Sequence, residues 1–253
     1  MLLEVRNIYK HFGGVQAEED VSLSVDSNRI VSLIGPNGAG KTTVFNLISG
    51  IYRPDAGTIT FDGKNLAGLE PHRISRLGIA RTFQNIRLFK GLSVVENLMT
   101  SRDPDLRYGI FSALFGLPSR RKEDKANRER CMEYLELVGL DRYRDEDPLN
   151  LPYGLQRRVE LARALARNPR LVMLDEPAAG LNPSEVAAFI ELVQDLRRRF
   201  GFGILIIEHR MMVVNELSDY IYVLNFGKLL AHGVPDMIRN DPEVIKAYLG
   251  EEN

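Results

Sequence analysis

Residues Gly35-Pro36-Asn37-Gly38-Ala39-Gly40-Lys41-Thr42-Thr43 join a glycine-rich loop to a lysine and two hydroxyls. Glycine accepts positive φ and leaves room for oxygen atoms to approach backbone N–H groups. The free N–H groups that open a following helix add partial positive charge. The pattern therefore predicts a polyphosphate cradle: Lys41 on the β- and γ-phosphates, Thr42 on Mg²⁺ and Thr43 on a phosphate oxygen. Two carboxylates, Asp175 and Glu176, follow the apolar run Leu171-Val172-Met173-Leu174. An acid at the end of a buried strand is placed to hold Mg²⁺, commonly through water, and its neighbour, pointing to the other side of the strand, to act on the attacking water.

These groups need a scaffold, and the flanking residues supply its pattern. Ile30 to Ile34 is an apolar run before the loop, and Val44, Leu47 and Ile48 follow at helical spacing, so the order is strand, loop, helix. Leu171–Leu174 and Ile204–Ile207 read as strands buried on both faces of a parallel sheet. Alternation at 3 to 8 and 21 to 25, and Thr58–Phe61 closing on Asp62-Gly63, read as an antiparallel layer. From 88 to 167 helical periodicity takes over. A helix over 126–138 sets Cys131, Tyr134, Leu135 and Val138 on one face. Asp145–Pro148 reads as a linker, and the helix over 156–167 turns Val159, Ala162 and Leu165 inward and Arg157, Arg158 and Arg163 to solvent. Asn182-Pro183-Ser184-Glu185 is a capping box with a first-turn proline. The expected fold is α/β: a phosphate-loop core with a mixed, mainly parallel sheet, an antiparallel β layer and an inserted helical subdomain. As one domain over 1–253, it has 1–87 and 168–253 as core and 88–167 as insert.

With 253 residues, 44% of them hydrophobic, the chain can bury a large core, and a net charge of −1 gives no sign of a nucleic-acid surface. The single cysteine, Cys131, excludes an internal disulfide and reads as a buried apolar residue. No signal-peptide pattern opens the chain and no apolar run approaches the ~20 residues that span a bilayer. The segment 101–125, with Tyr108 to Pro118 followed by Arg120, Arg121 and Lys122, reads as a surface loop and short helix or as a docking element.

Phe12, the loop at 35–43, Gln84 in Arg81-Thr82-Phe83-Gln84, Leu151 to Arg158, Asp175-Glu176, Ala179 to Asn182 and His209 stand in an order and spacing that resembles ATP-binding-cassette ATPases over the whole chain. The runs Ile34–Thr43, Gly78–Phe89, Pro177–Pro183 and Ile245–Gly250 are most similar to the ATP-binding subunits of branched-chain amino-acid importers.

The resemblance implies that ATP and Mg²⁺ are the ligands. Phe12 would stack on adenine, and residues 35 to 43 (Gly35, Pro36, Asn37, Gly38, Ala39, Gly40, Lys41, Thr42, Thr43) would hold the phosphates. Thr42, Gln84 and Asp175 would hold the metal, with Gln84 also meeting the attacking water in a loop that senses the membrane partner. Glu176 would be the general base or water-positioning carboxylate, and His209 would contact the γ-phosphate. Leu151, Tyr153 and Gly154 match the signature that binds ATP held by a second ATPase subunit. Here the family's serine is replaced by Pro152, and Leu155 and Arg210 also depart from the common pattern. Two transmembrane permease subunits and, indirectly, a solute-binding protein are implied partners. The implied place is the cytoplasmic face of the cell membrane, held peripherally. A lipid or lipopolysaccharide exporter ATPase, and a soluble cassette protein acting on ribosome or DNA, are competing readings. The latter lacks its tandem domains or coiled-coil insertion, and a kinase would leave Leu151 to Arg158 unexplained.

Overall fold

The computed structural model describes residues 1–102 and 118–249, with side chains left out at 118–121 and 249. Most of the 101–125 segment, and the end of the last helix at Gly250, thus lie outside the described residues. The described chain divides into two compact units, Met1–Gln84 with the chain from Arg170 onward, and Asn85–Pro169.

The first unit holds two sheets. Strands β1 (Leu3–Phe12), β2 (Val15–Val25), β4 (Ala56–Phe61) and β5 (Lys64–Asn65) form an antiparallel sheet ordered β2-β1-β4-β5. Strands β3 (Ile30–Ile34), β6 (Ile79–Arg81), β7 (Leu171–Asp175), β8 (Gly203–Ile207), β9 (Tyr220–Asn225) and β10 (Lys228–Gly233) form a second, ordered β10-β9-β3-β8-β7-β6. Its pairs are parallel except β9–β10. The expected mixed, mainly parallel core with an antiparallel layer is the fold found. Every residue of β3, β7 and β8 is buried, which is why these strands read as unbroken apolar runs rather than alternating ones. Helix α1 (Lys41–Ile48) buries Phe45 and Ile48 in the same core as Leu3, Ile59 and Phe61 of one sheet and Leu33, Met173 and Leu205 of the other. Each such side chain contributes about 1.5–3 kcal/mol by leaving water.

Strands β1 and β2 run further than the alternation at 3–8 and 21–25 predicts. Register shifts between Val5 and Ile8, Ile8 and Lys10, and Lys10 and His11 break the period of two along their outer halves. Asn7 and Asp20 sit at φ 47° and 58° within this region, and Asn7 Nδ2 donates to Asp20 Oδ1 at 2.7 Å. Helix α2 (Pro71–Arg76) and the three-residue β6 carry too short a pattern to have been read in advance.

In the second unit, helices α3 (Val94–Arg102), α4 (Pro118–Leu137) and α5 (Tyr153–Leu165) bury Val95, Leu98, Cys131, Leu135, Val159 and Leu165. Cys131 is the buried apolar residue expected. Two expectations are corrected here. Asp145–Pro148 is a packed turn rather than a linker, since Arg144 and Glu146 accept from Val95 N and Val94 N, and Asp147 caps the turn at Leu149 N. Arg157 is buried rather than solvated: its guanidinium pairs with Glu160 at 3.2 Å and donates to Tyr153 Oη at 2.9 Å. Neutralised by that carboxylate, it can lie on the inner face of the helix.

Helices α6 (Pro183–Phe200), α7 (Met211–Leu217), α8 (Pro235–Arg239) and α9 (Pro242–Leu249) complete the first unit. The capping box opening α6 is present, with Asn182 accepting from Glu185 N and Glu185 from Asn182 N, both at 3.0 Å. Among the described residues no helix is long and apolar enough to cross a membrane.

Candidate functional site

The loop from Gly35 to Gly40 leaves the end of β3 and turns into α1, whose N-cap is Gly40 at φ 107°. At two glycines this path leaves no space for a side chain. A Cβ at Gly35, φ 146°, would stand 2.1 Å from the Leu224 carbonyl oxygen, and one at Gly40 would stand 2.5 Å from Glu18 Oε1. No acid occupies the first turn of α1, so its N-terminal N–H groups keep their positive potential. Lys41 bends back over the loop, donating from Nζ to the carbonyls of Gly35 at 2.5 Å and Pro36 at 2.7 Å.

A cavity of about 490 Å³ opens over this loop, lined by Asn37 to Thr43, by Gln84 and Glu176, and by the β2 residues Val15 to Ala17. Register explains why Gln84 and Glu176 share it. Strand β6 runs parallel to β7, Thr82 N donates to Met173 O at 2.9 Å, and the next turns of the two strands leave side by side. Gln84 Nε2 donates to Glu176 Oε2 at 2.8 Å, and His209 Nδ1, at the end of β8, lies 3.9 Å from Glu176 Oε1. Glu176 itself has φ 46°, a left-handed conformation costly for a residue with a Cβ.

Asp175 and Phe12 are placed differently. The Asp175 carboxylate is buried and is not part of the cavity lining; Arg81 Nη2 donates to its Oδ2 at 3.0 Å. Arg81 also donates to Asn46 Oδ1 and Ser49 Oγ of α1 and its vicinity. Arg81 thus supplies a cation to Asp175, while Glu176 turns to Gln84 and His209. Phe12 is outside the lining: it is partly exposed, edge-on to Tyr52 at 4.9 Å, with Lys10 Nζ 5.3 Å from its ring centre.

Sequence reasoning missed a set of supporting residues. Glu208 is fully buried and its carboxylate accepts from the backbone N–H groups of Ala178, His209 and Arg210. Arg210 Nη1 returns a hydrogen bond to Ala178 O at 3.0 Å. The loop after Glu176 is thereby tied to the loop carrying His209. Arg210, a departure without evident consequence in the sequence, makes one of these ties. Its signal lies in the fold rather than in the chain.

In the second unit, Leu151 is buried, Pro152 is the N-cap of α5, and Tyr153 and Gly154 open the helix. No side chain caps it, and Gln156 Nε2 donates to Leu151 O at 2.8 Å. No group of three or more His, Cys, Asp or Glu side chains that could hold a metal ion occurs among the described residues.

A phosphate loop on a parallel strand, an acid-bearing strand two places along the same sheet, an antiparallel layer and a helical insert define a cassette ATPase. A family model described as "ABC transporter" matches residues 19–179, and the chain belongs to that family of transport ATPases. A second model, "Branched-chain amino acid ATP-binding cassette transporter", matches residues 228–253. Among curated proteins, the chain is 48% identical over 250 residues to the high-affinity branched-chain amino acid transport ATP-binding protein LivG of Salmonella typhimurium, covering 99% of this chain and 98% of that one. It is 46% identical, with the same coverage, to BraF of Pseudomonas aeruginosa, a protein of the same description. Among solved structures, the ADP conformation of MJ1267, an ATP-binding cassette of an ABC transporter, superposes with a TM-score of 0.86 at 33% identity and covers 98% of both chains.

Proposed function

We propose that the chain is the ATP-hydrolysing subunit of an importer of branched-chain amino acids, working as one of two ATPase subunits, identical or different, on a pair of membrane permeases. The observation that carries the catalytic part is the meeting of Gln84 and Glu176 at 2.8 Å on the lip of the phosphate-loop cavity, with His209 beside the second carboxylate oxygen. The transport part rests on near-half identity to proteins of that description along the full chain, and on the C-terminal match.

In this reading the β- and γ-phosphates lie on the N–H groups of 38 to 43, and Lys41 exchanges the carbonyls of Gly35 and Pro36 for phosphate oxygens. The donor set fits a magnesium-bound triphosphate: Thr42 and Gln84 line the cavity, and Asp175, next to Glu176 in the chain, would act through water. When bound, Mg²⁺ would neutralise charge between the β- and γ-phosphates. Glu176 accepts a proton from, or orients, the water attacking the γ-phosphorus, Gln84 fixes that carboxylate, and His209 donates to a γ-oxygen. Phe12, although outside the cavity lining, would stack on adenine, a contact of about 1–3 kcal/mol. Leu151, Tyr153 and Gly154 close on ATP held by the second subunit, so ATP favours the closed pair and hydrolysis releases it.

Glu176→Gln tests this directly. The variant retains ATP, accumulates as a dimer in size-exclusion chromatography with ATP present, and loses turnover by about 10²- to 10⁴-fold. Hydrolysis near the parent rate would remove Glu176 from the reaction.

A further inference from the structure

Beneath the phosphate loop lies a carboxyl group that none of these roles uses. Glu18 of β2 is fully buried, and among the described residues neither of its oxygens has a hydrogen-bond partner. Its Oε1 and Oε2 lie 2.5 and 3.0 Å from where a Cβ of Gly40 would stand, so the carboxyl fills the space a side chain there would take. Glu18 is held in that place by backbone. Glu19 N donates to Gly227 O at 2.7 Å and Gly227 N to Ala39 O at 3.0 Å, joining β2, the β9–β10 turn and the phosphate loop in one layer.

The charged groups on every neighbouring element have other partners. Lys41 of α1 donates to Gly35 and Pro36. Lys10, the register partner of Glu18 in β1, bonds Asp55, and so does His11. Lys228 of β10 pairs with Glu19, and Asp20 accepts from Asn7. Burial, with no cation to offset it, pushes the Glu18 carboxyl up to about 9.

We propose that Glu18 is a proton-carrying positioning residue of the nucleotide site: the loop holds a triphosphate over a neutral Glu18 and holds it poorly over an ionised one. The inference rests on the loop being the ATP site. An ionised Glu18 places negative charge directly behind Gly40, opposite the phosphates, in a region that water does not screen. Coupling of this kind is reciprocal, so bound nucleotide raises the affinity of Glu18 for its proton by the factor by which ionisation weakens nucleotide binding. Like charges a few ångströms apart across a buried loop make that factor at least about tenfold.

The test is isothermal calorimetry of ATP binding in EDTA, in buffers of different ionisation enthalpy, on the parent and on Glu18→Gln. Near pH 9.5 ATP itself is fully ionised, and the parent takes up about half a proton more per nucleotide than the variant. Across the rise from about pH 8 to about pH 10, parent affinity falls several-fold further than that of the variant. Changes at Lys41 are common to both and cancel in the difference. Glu18→Leu serves as a second neutral variant should the buried amide disturb folding. Equal proton uptake, with ATP binding intact, overturns the role of Glu18 and leaves the ATP site standing. Failure of the parent to bind ATP near neutral pH overturns both.

Discussion

Glu18 bears on the stability of the fold as well as on its ligand. Its carboxyl ionises near 4.5 in the unfolded chain and near 9 in the folded one, so between these values the native state binds the extra proton. Stability therefore falls as pH rises across that window, the contribution being fully present below it and gone above it. Thermal unfolding of the parent should drop in midpoint from pH 6 to pH 9 more steeply than that of Glu18→Gln. Near pH 8 the variant should be the more stable, because its side chain is neutral in both states and needs no proton to enter the fold. Parallel pH profiles would show that the carboxyl is not held neutral by the fold. In the sequence, nothing distinguishes Glu18 from Glu19 and Asp20, its neighbours in an acidic run. Lys41, Thr42, Gln84 and Glu176 were legible because their spacing along the chain is itself the pattern. Glu18, Arg81 and Glu208 gain their roles from neighbours that only the fold brings together, Gly40, Asp175 and Ala178.

Among the elements, the long buried strands and α6 were legible, because a continuous apolar run and a capping box are local signals. The outer halves of β1 and β2 were not, because bulges remove the alternation by which a strand is read. Helix α5 opens on Pro152, where the family's signature has serine, and it carries the next prediction. Pro152 caps it with neither a hydroxyl nor an N–H, so in the proposed dimer only Gly154 and the helix N-terminus would meet the phosphate of a second subunit. Serine at this position would add one hydrogen bond to a charged group, about 1.5–3 kcal/mol, or about 10- to 150-fold in association. It would also supply the missing cap, which adds about 1 kcal/mol to the helix. Sedimentation of Glu176→Gln with and without Pro152→Ser, in ATP, should show the double variant dimerising at correspondingly lower concentration. An unchanged dimerisation constant would mean that the backbone of α5 alone carries the contact.

At the scale of the whole molecule, the chain passes between its two units at Gln84–Asn85 and at Pro169–Arg170. Gln84, bonded to Glu176, is thus the last residue of the unit that holds the phosphate loop. Five residues further on, Phe89 is exposed in the second unit, held from both sides by Asn97, whose Oδ1 accepts from Phe89 N and whose Nδ2 donates to Phe89 O. Arg163 lies 5.7 Å from its ring centre. A rigidly mounted, exposed aromatic beside a guanidinium is the kind of residue that dominates a protein contact, commonly at 2 kcal/mol or more. A permease gripping Phe89 would pull on a segment that leads straight to Gln84. Phe89→Ala should therefore leave ATP binding by the free subunit within about twofold. In vesicles carrying the permeases it should lower solute-stimulated ATP turnover about 10-fold or more. Equal stimulation in parent and variant would place the membrane contact elsewhere and leave the Gln84 segment without a handle on the chemistry.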